Sequence, residues 1–358
     1  MRIHVVSLPH TQVSREFEWC AYTAKCRRLA KMMALQQIPM FLYAGELTDA
    51  ETKANLAEDI CIVGPEDRLK WYGSEQWSED QIFHHWDRTH DSWTRMNHTA
   101  VDEIASRWQD GDILGVIAGV CQEQIATELA ERGINAPVVE WGIGYTGVFA
   151  PYRVFESHAH RHHVAGLQRD DDFRPLDTVI PNAFDVADFI YRPTLGPVAD
   201  TSYLLYLGRM IERKGLDTVA HFADLGRHLV FTAGQGDIRV ANAVHCGVVR
   251  GKAKARLIAG AQAVLVPTRY AEPFGGVAVE AMMSGVPAVT TNWGAFTETI
   301  PAEYRASTPY EFEQAVDRAA IEDRHNFQQR AWARFSLEPV SKMYAEYFEK
   351  VLTHHRSR

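Results

Sequence analysis

The chain has no apolar run approaching the ~18 residues that a membrane-spanning helix requires. It also has nothing that reads as a secretory leader: MRIHVVSLPHTQ carries one arginine and a short apolar run without a small-residue cleavage site, and reads as a first strand. Cysteines are few and unpaired in pattern. The five, Cys20, Cys26, Cys61, Cys121 and Cys246, are odd in number and show no C-x-x-C spacing. That argues against a disulfide framework or a zinc site and fits a reducing cytoplasm. Positive charge is in deficit, with 37 Lys and Arg against 46 Asp and Glu, a net charge of −9. General affinity for nucleic acid or an anionic membrane is not implied, which leaves only local basic patches. Long repeats and low-complexity segments are missing too. What the chain does have is length: 358 residues exceed one ordinary core and predict two domains.

Strand and helix patterns alternate. Strands are expected at Arg2–Leu8, Pro39–Gly45, Ile60–Val63, Asp112–Ala118 and Ala136–Trp141, with helices near Glu18–Leu35 and Gln122–Arg132. This is the pattern of a doubly wound α/β sheet, whose ligands lie at the carboxyl ends of its strands. His10, Thr11 and Gln12 fall at such an end. The first helix carries Lys25, Arg27, Arg28 and Lys31, read as a solvated face in preference to a phosphate patch.

An insertion, Gly64 to Trp108, holds Trp71, Trp77, Trp86, Trp93 and Trp108 and reads as helical from Ser78 onward. Trp86 and Trp93, seven apart, are expected on one helical face, either as a packing stripe or as a platform that stacks on sugars or bases. The histidines here lack the spacing of a metal site.

Gly142 to Gly147 form a G-x-G-x-x-G after a strand. The dinucleotide reading fails on context, because Phe149-Ala150-Pro151 stands where the helix should run. Gly142 to Gly147, with Tyr145, are read as a flexible loop facing an interdomain cleft, and Glu140 lies near the end of the strand before it. Ser157 is a candidate N-cap. His158 and His162 are four apart without a third ligand, and the start of their helix is a candidate contact for phosphate or sugar. Asp170 to Asp172 read as solvated.

The most informative stretch is PTRYAEPFGGVAVEAMMSGVP, Pro267 to Pro287. Two glutamates, Glu272 and Glu280, stand eight positions apart around Pro-Phe-Gly-Gly and the start of an apolar, helix-favouring run. The order is strand, tight loop, helix. Gly275 and Gly276 let backbone approach a ligand, and a helix start presents free N–H groups to an anion. Carboxylates accept hydrogen bonds only and suit the hydroxyls of sugars and riboses. A ligand with hydroxyls at both ends and phosphate between, such as a nucleotide sugar, matches that layout. Upstream, SYLLYLG ends in Gly208-Arg209 and is followed by Lys214-Gly215, two cations after a strand.

E-P-F-G-G-x-x-x-E-A-x-x-x-G-x-P resembles the E-x7-E signature of retaining glycosyltransferases of the GT-B fold, the group 1 class. GR-x-x-x-x-KG and the crossing segment DTVIPNAFD are similar to further motifs of that class. The resemblance implies an α/β GT-B architecture of two Rossmann-like doubly wound domains facing a cleft, with a C-terminal helix crossing back. The expected division is an acceptor-side domain over 1–184, a nucleotide-sugar domain over 185–335 and the returning helix over 336–358.

It further implies that Arg209 and Lys214 bind the donor diphosphate and Glu272 contacts the sugar, these three carrying catalysis. Glu280 would hold the ribose, with Phe274, Gly275, Gly276 and Gly208 lining the donor and Val249 and Arg250 near the base. No metal or other cofactor is required in that scheme, and the donor would be a UDP- or GDP-sugar. The histidine that many relatives place after a first-domain strand is missing. His10 or Glu140 is the candidate replacement, with Gly142, Tyr145 and His158 as further acceptor or cleft residues. LPHTQVSREFEWCAYTAKCRRLAKMM and GIGYTGVFAPYRVFES resemble glycosyltransferase-like proteins of tailed bacteriophages, which would place the protein in a host cytoplasm and make a virion protein, a glycan or a hydroxymethylated DNA base the acceptor. A sugar epimerase of the same fold and a non-catalytic nucleotide-sugar-binding protein remain alternatives.

Overall fold

The computed structural model describes residues 1–74, 86–170, 172, 174–193 and 203–357. Trp77, Ser78, Asp171 and the linker TLGPVADTS lie outside the described residues. The chain forms two compact units. The first comprises Met1–Glu156, Val164–Ile180 and Val340–Arg358, the second Ser157–His163 and Pro181–Pro339.

The elements of the first part of the chain are β1 (Ile3–Val6), α1 (Ala21–Leu35), β2 (Met40–Gly45), α2 (Ala50–Lys53), β3 (Glu58–Val63), α3 (Pro65–Tyr72), α4 (Asp91–Arg107), β4 (Ile113–Val116), α5 (Glu123–Glu131), β5 (Val138–Ile143), β6 (Tyr152–Phe155), α6 (His158–Gln168) and β7 (Thr178–Val179). Their sheet runs β3-β2-β1-β4-β5-β6-β7, parallel throughout. Helices cover both faces of such a sheet, so its strands read as apolar runs without alternation. IHVV of β1 and ILGV of β4 are buried at every position. Met96, Val101 and Ile104 of α4 and Ile125 and Leu129 of α5 share one core cluster with Val6, Leu114 and Val116.

The second part comprises β8 (Tyr203–Leu207), α7 (Leu216–Leu225), β9 (Leu229–Ala233), β10 (Val244–His245), α8 (Gly251–Gly260), β11 (Ala263–Val266), α9 (Gly276–Met283), β12 (Ala288–Thr291), α10 (Phe296–Thr299), β13 (Arg305–Ala306), α11 (Pro309–Ala319), α12 (Arg324–Phe335) and α13 (Leu337–Arg356). The parallel sheet is ordered β10-β9-β8-β11-β12-β13. Both sheets thus reverse direction of growth beside their first strand, the Rossmann-type arrangement. The fold is two Rossmann-like α/β units.

Three expectations need correction. The basic residues of α1 are not a solvated face. Lys25 and Arg27 are buried: the Lys25 ammonium donates to the Gly142 carbonyl at 2.8 Å and pairs with Glu156, and Arg27 reaches Asp49 at 3.0 Å, Glu51 at 3.2 Å and Glu18. Buried charge is tolerated when paired, and those carboxylates come from distant segments that helical periodicity does not reveal. Trp86 does not share a helix with Trp93, because α4 begins only at Asp91 behind the cap residue His90. Their rings nevertheless stack, 6.5 Å apart. Finally, Gly142 and Ile143 are buried residues at the end of β5 and not part of a loose loop.

Candidate functional site

In the second unit, four loops meet at the carboxyl edge of the sheet, after β8, β9, β10 and β11. Backbone bonds zip the first three together: Met210 N–H donates to Gln235 at 2.7 Å and Gly234 N–H to Gly247 at 2.9 Å. A side chain at Gly234 would run into the Gly208 carbonyl, which explains its glycine. The loop after β8 then turns at Gly215, with a positive φ of 77°, and presses on Pro267 at the start of the loop after β11. The Tyr206 hydroxyl donates to the Arg209 carbonyl at 2.6 Å and fixes the backbone there. The Arg209 side chain is exposed.

This docking brings together the cation and carboxylate that the sequence singled out. The Lys214 ammonium donates to Glu272 at 2.9 Å, with both side chains about five-sixths buried, at 17% and 16% exposure. The Tyr270 ring lies beneath two cations, with the Arg213 guanidinium 4.0 Å and the Lys214 ammonium 4.7 Å from its centre. Burial, reinforced by the Glu272 charge, pushes the Tyr270 hydroxyl well above the ordinary tyrosine range, so it stays a neutral donor. The second glutamate has its own lysine: Lys254, from α8, donates to Glu280 at 2.9 Å.

Between the glutamates lies the start of α9. Its cap residue, Gly275, is left-handed (φ 84°) and has no side chain to satisfy the first amides, and no acidic residue stands in the first turn. A Cβ at Gly275 would sit 2.3 Å from the Phe296 ring, whereas one at Gly276 would meet nothing within 4 Å. Gly275 is therefore demanded by packing and backbone, and Gly276 leaves open space at the helix end. The Phe274 side chain serves the core, packed against Phe184 at 6.2 Å and Phe335 at 5.9 Å. Only its backbone remains for a ligand. Val249 packs partly on the same core, and Arg250 caps α8 from an exposed position.

The remaining candidates fall elsewhere. Glu140 is fully buried, and one of its oxygens accepts from the amides of Phe149 and Ala150 at 2.9 and 3.0 Å. It anchors the segment after β5. His10 is buried edge-on against Trp93, 6.4 Å between ring centres. Tyr145 lies 5.8 Å from Tyr22 and 6.2 Å from Trp86. Ser157 does cap α6, accepting from His160 at 3.0 Å and donating to the Pro273 carbonyl at 2.7 Å. The amides at the start of α6 are not open to phosphate or sugar, because Glu298 already accepts from His158 at 2.9 Å and Ala159 at 2.6 Å. The His158 side chain points to solvent. Asp170 pairs with Arg174 at 2.7 Å. Among the described residues no cluster of three His, Cys, Asp or Glu side chains is arranged to hold a metal ion.

Sequence reasoning missed Lys254, Tyr270 and Glu298. Each meets a partner far along the chain, and Lys254 is one of three basic residues of α8, with Lys252 and Arg256, so nothing in the sequence singled it out.

Two lysine-paired carboxylates and the uncapped start of α9 thus come from the carboxyl edge of a Rossmann-type sheet. Residues 201–320 match the family model described as Glycosyl transferases group 1. An uncharacterized glycosyltransferase of Methanocaldococcus jannaschii is 32% identical over 129 residues, covering 32% of this chain and 33% of the relative. The match thus spans about a third of that relative's length.

Whole-chain likeness is seen to a sucrose-phosphate synthase from Thermosynechococcus elongatus, with a TM-score of 0.69, 15% identity and coverage of 99% of this chain and 100% of that one. AviGT4, a glycosyltransferase involved in avilamycin A biosynthesis, gives 0.67 at 20% identity, covering 99% and 98%. Anabaena HepE in complex with UDP and glucose gives 0.64 at 14% identity, covering 98% and 99%. The fold is that of the GT-B glycosyltransferases.

Proposed function

We propose that the protein transfers a sugar from a nucleotide diphosphate sugar to an acceptor hydroxyl, with retention of anomeric configuration and without a metal ion. The observation that carries this reading is the Lys214–Glu272 pair beside the exposed Arg209, at a strand-end edge that also holds the open start of α9. Arg209 and Lys214 take the diphosphate, and the first amides of α9 add to them. Glu280 accepts from the ribose hydroxyls and Glu272 from those of the sugar. In the reaction the bond from the anomeric carbon to the diphosphate oxygen breaks, and the acceptor oxygen bonds to that carbon. The acceptor proton leaves with the departing diphosphate. Fixed cations offset the charge that grows on the leaving group, which is the task a divalent ion would otherwise perform.

The E-x7-E spacing supports retention. UDP is the first nucleotide to test, because the similar HepE has been seen with UDP and with UDP-glucose. A thermal-shift panel of UDP-, GDP-, ADP- and TDP-sugars, with and without EDTA, tests the donor: a ligand of the native state raises the midpoint. Release of nucleoside diphosphate that depends on an added acceptor marks transfer. Isomerised donor without nucleotide release would mark an epimerase instead.

A further inference from the structure

The geometry points to a carbohydrate-binding platform on the first unit, built from Tyr22, Trp86 and Tyr145 over Trp93. It rests on the proposed transfer reaction and names the acceptor class as a neutral sugar ring. The four rings come from α1, the start of the α4 region and the segment after β5. Trp86 stacks on Trp93 with centres 6.5 Å apart and planes 21° apart. The Tyr22 ring meets Trp86 edge-on at 5.6 Å, and Tyr145 lies 5.8 Å from Tyr22 and 6.2 Å from Trp86.

Trp93 is fully buried and supplies the packing, whereas Trp86 keeps half its surface exposed. Tyr22 and Tyr145 are partly exposed. An indole with a stacked neighbour and half its surface exposed offers a large, flat contact area to a ligand. The place also fits. Tyr145 follows the carboxyl end of β5, and His10, edge-on to Trp93, follows that of β1. Ligands of doubly wound sheets bind at those ends.

Charge decides between a sugar and a nucleic acid. A polynucleotide needs cations for its phosphates. The cations of these segments are committed to the protein's own groups: Lys25 to Glu156 and the Gly142 carbonyl, Arg27 to Glu18, Asp49 and Glu51, Lys31 to Glu51, and Arg88 to Glu123 at 3.2 Å. Arg28, the remaining cation of α1, is engaged as well. The Lys25 ammonium does lie 4.5 Å from the centre of the Tyr22 ring, but it is compensated by Glu156, and an aromatic surface whose cations are compensated suits the C–H face of a neutral pyranose.

The test uses the full chain and three variants, Trp86→Ala, Trp86→Phe and Tyr22→Leu. Saturation-transfer NMR is recorded with methyl glycosides of glucose, galactose, mannose and N-acetylglucosamine, and with a single-stranded oligonucleotide containing 5-hydroxymethylcytosine. UDP binding is measured alongside by calorimetry. The account predicts saturation transfer to at least one glycoside. Trp86→Ala should weaken that glycoside about tenfold and Trp86→Phe should restore much of it, while UDP affinity stays unchanged. Tyr22→Leu should weaken it without touching UDP. Absence of transfer to every glycoside, binding indifferent to both positions, or binding of the oligonucleotide alone would overturn the platform. Failure of the wild type to bind any nucleotide would instead count against the donor site and not against the platform.

Discussion

Lys214 and Glu272, 58 residues apart in sequence, meet at 2.9 Å where the loop after β8 docks on the loop after β11. On the proposed reading, the pair holds the cation in place for the diphosphate and compensates the carboxylate beside it. Lys214→Ala should therefore weaken UDP by about tenfold to a hundredfold, the range of hydrogen bonds to charged groups. UMP, which lacks the second phosphate, should lose much less. Calorimetry with both nucleotides checks this, and equal losses would place Lys214 away from the diphosphate.

The second pair predicts a different signature. If Lys254 fixes Glu280 for the ribose, Glu280→Gln and Lys254→Met should each reduce discrimination between UDP and its 2′,3′-dideoxy analogue. About 1 kcal/mol of that preference is at stake, the net worth of one ordinary hydrogen bond. Lys254→Met should leave the UDP-to-UMP ratio as it is, because Lys254 is bonded to the carboxylate of Glu280.

Adjacent glycines should behave in opposite ways. Gly275→Ala places a methyl 2.3 Å from the Phe296 ring at a φ of 84° and should lower the melting temperature clearly. Left-handed strain alone amounts to about 1–3 kcal/mol. Gly276→Ala meets nothing within 4 Å and should leave stability unchanged or slightly higher. It should nonetheless weaken donor binding, since the methyl enters the space where the ligand approaches the helix start. Thermal melts with and without UDP separate the two.

The pH dependence of stability carries a further expectation. Lys31 and then Arg15 hold the Glu51 carboxyl at about 2, below its ordinary value of 4.5. A depressed carboxyl contributes stability that is present above 4.5 and lost as pH falls towards 2. Glu140 has the opposite sign, because burial raises it and its charged form is a cost at neutral pH. Glu51→Gln should flatten the acid limb of a melting-temperature profile. Glu140→Gln should hold or raise the melting temperature at pH 7, with the amide oxygen still accepting from Phe149 and Ala150.

Much of this organisation was legible in the sequence for a physical reason. Parallel strands buried on both faces leave apolar runs such as IHVV and AVLV, and the left-handed turn packed on Phe296 requires a glycine at 275. Glu272 and Lys214 stood out in the sequence as candidates, but their pairing did not. What could not be read depended on distant contacts. The burial of Lys25 and Arg27 is set by Glu156, Asp49 and Glu51, and the occupation of the α6 start is set by Glu298. The motif gives Phe274 a backbone role only, and the place of its ring, in the core beside Phe184, could not be read from the motif. Glu140 was a cleft candidate because it lies near a strand end, and its bonds to the amides of Phe149 and Ala150 were not legible in the sequence.

On the proposed reading, the second unit binds the diphosphate sugar without a metal ion. The most direct measurement is calorimetry of UDP and UDP-glucose, and of GDP and GDP-mannose, against the wild type and Lys214→Ala in EDTA. The account predicts saturable binding of one nucleotide pair by the wild type, unaffected by EDTA and weakened at least about tenfold by Lys214→Ala. Binding that appears only with Mg²⁺, or that is equal in wild type and variant, would contradict it.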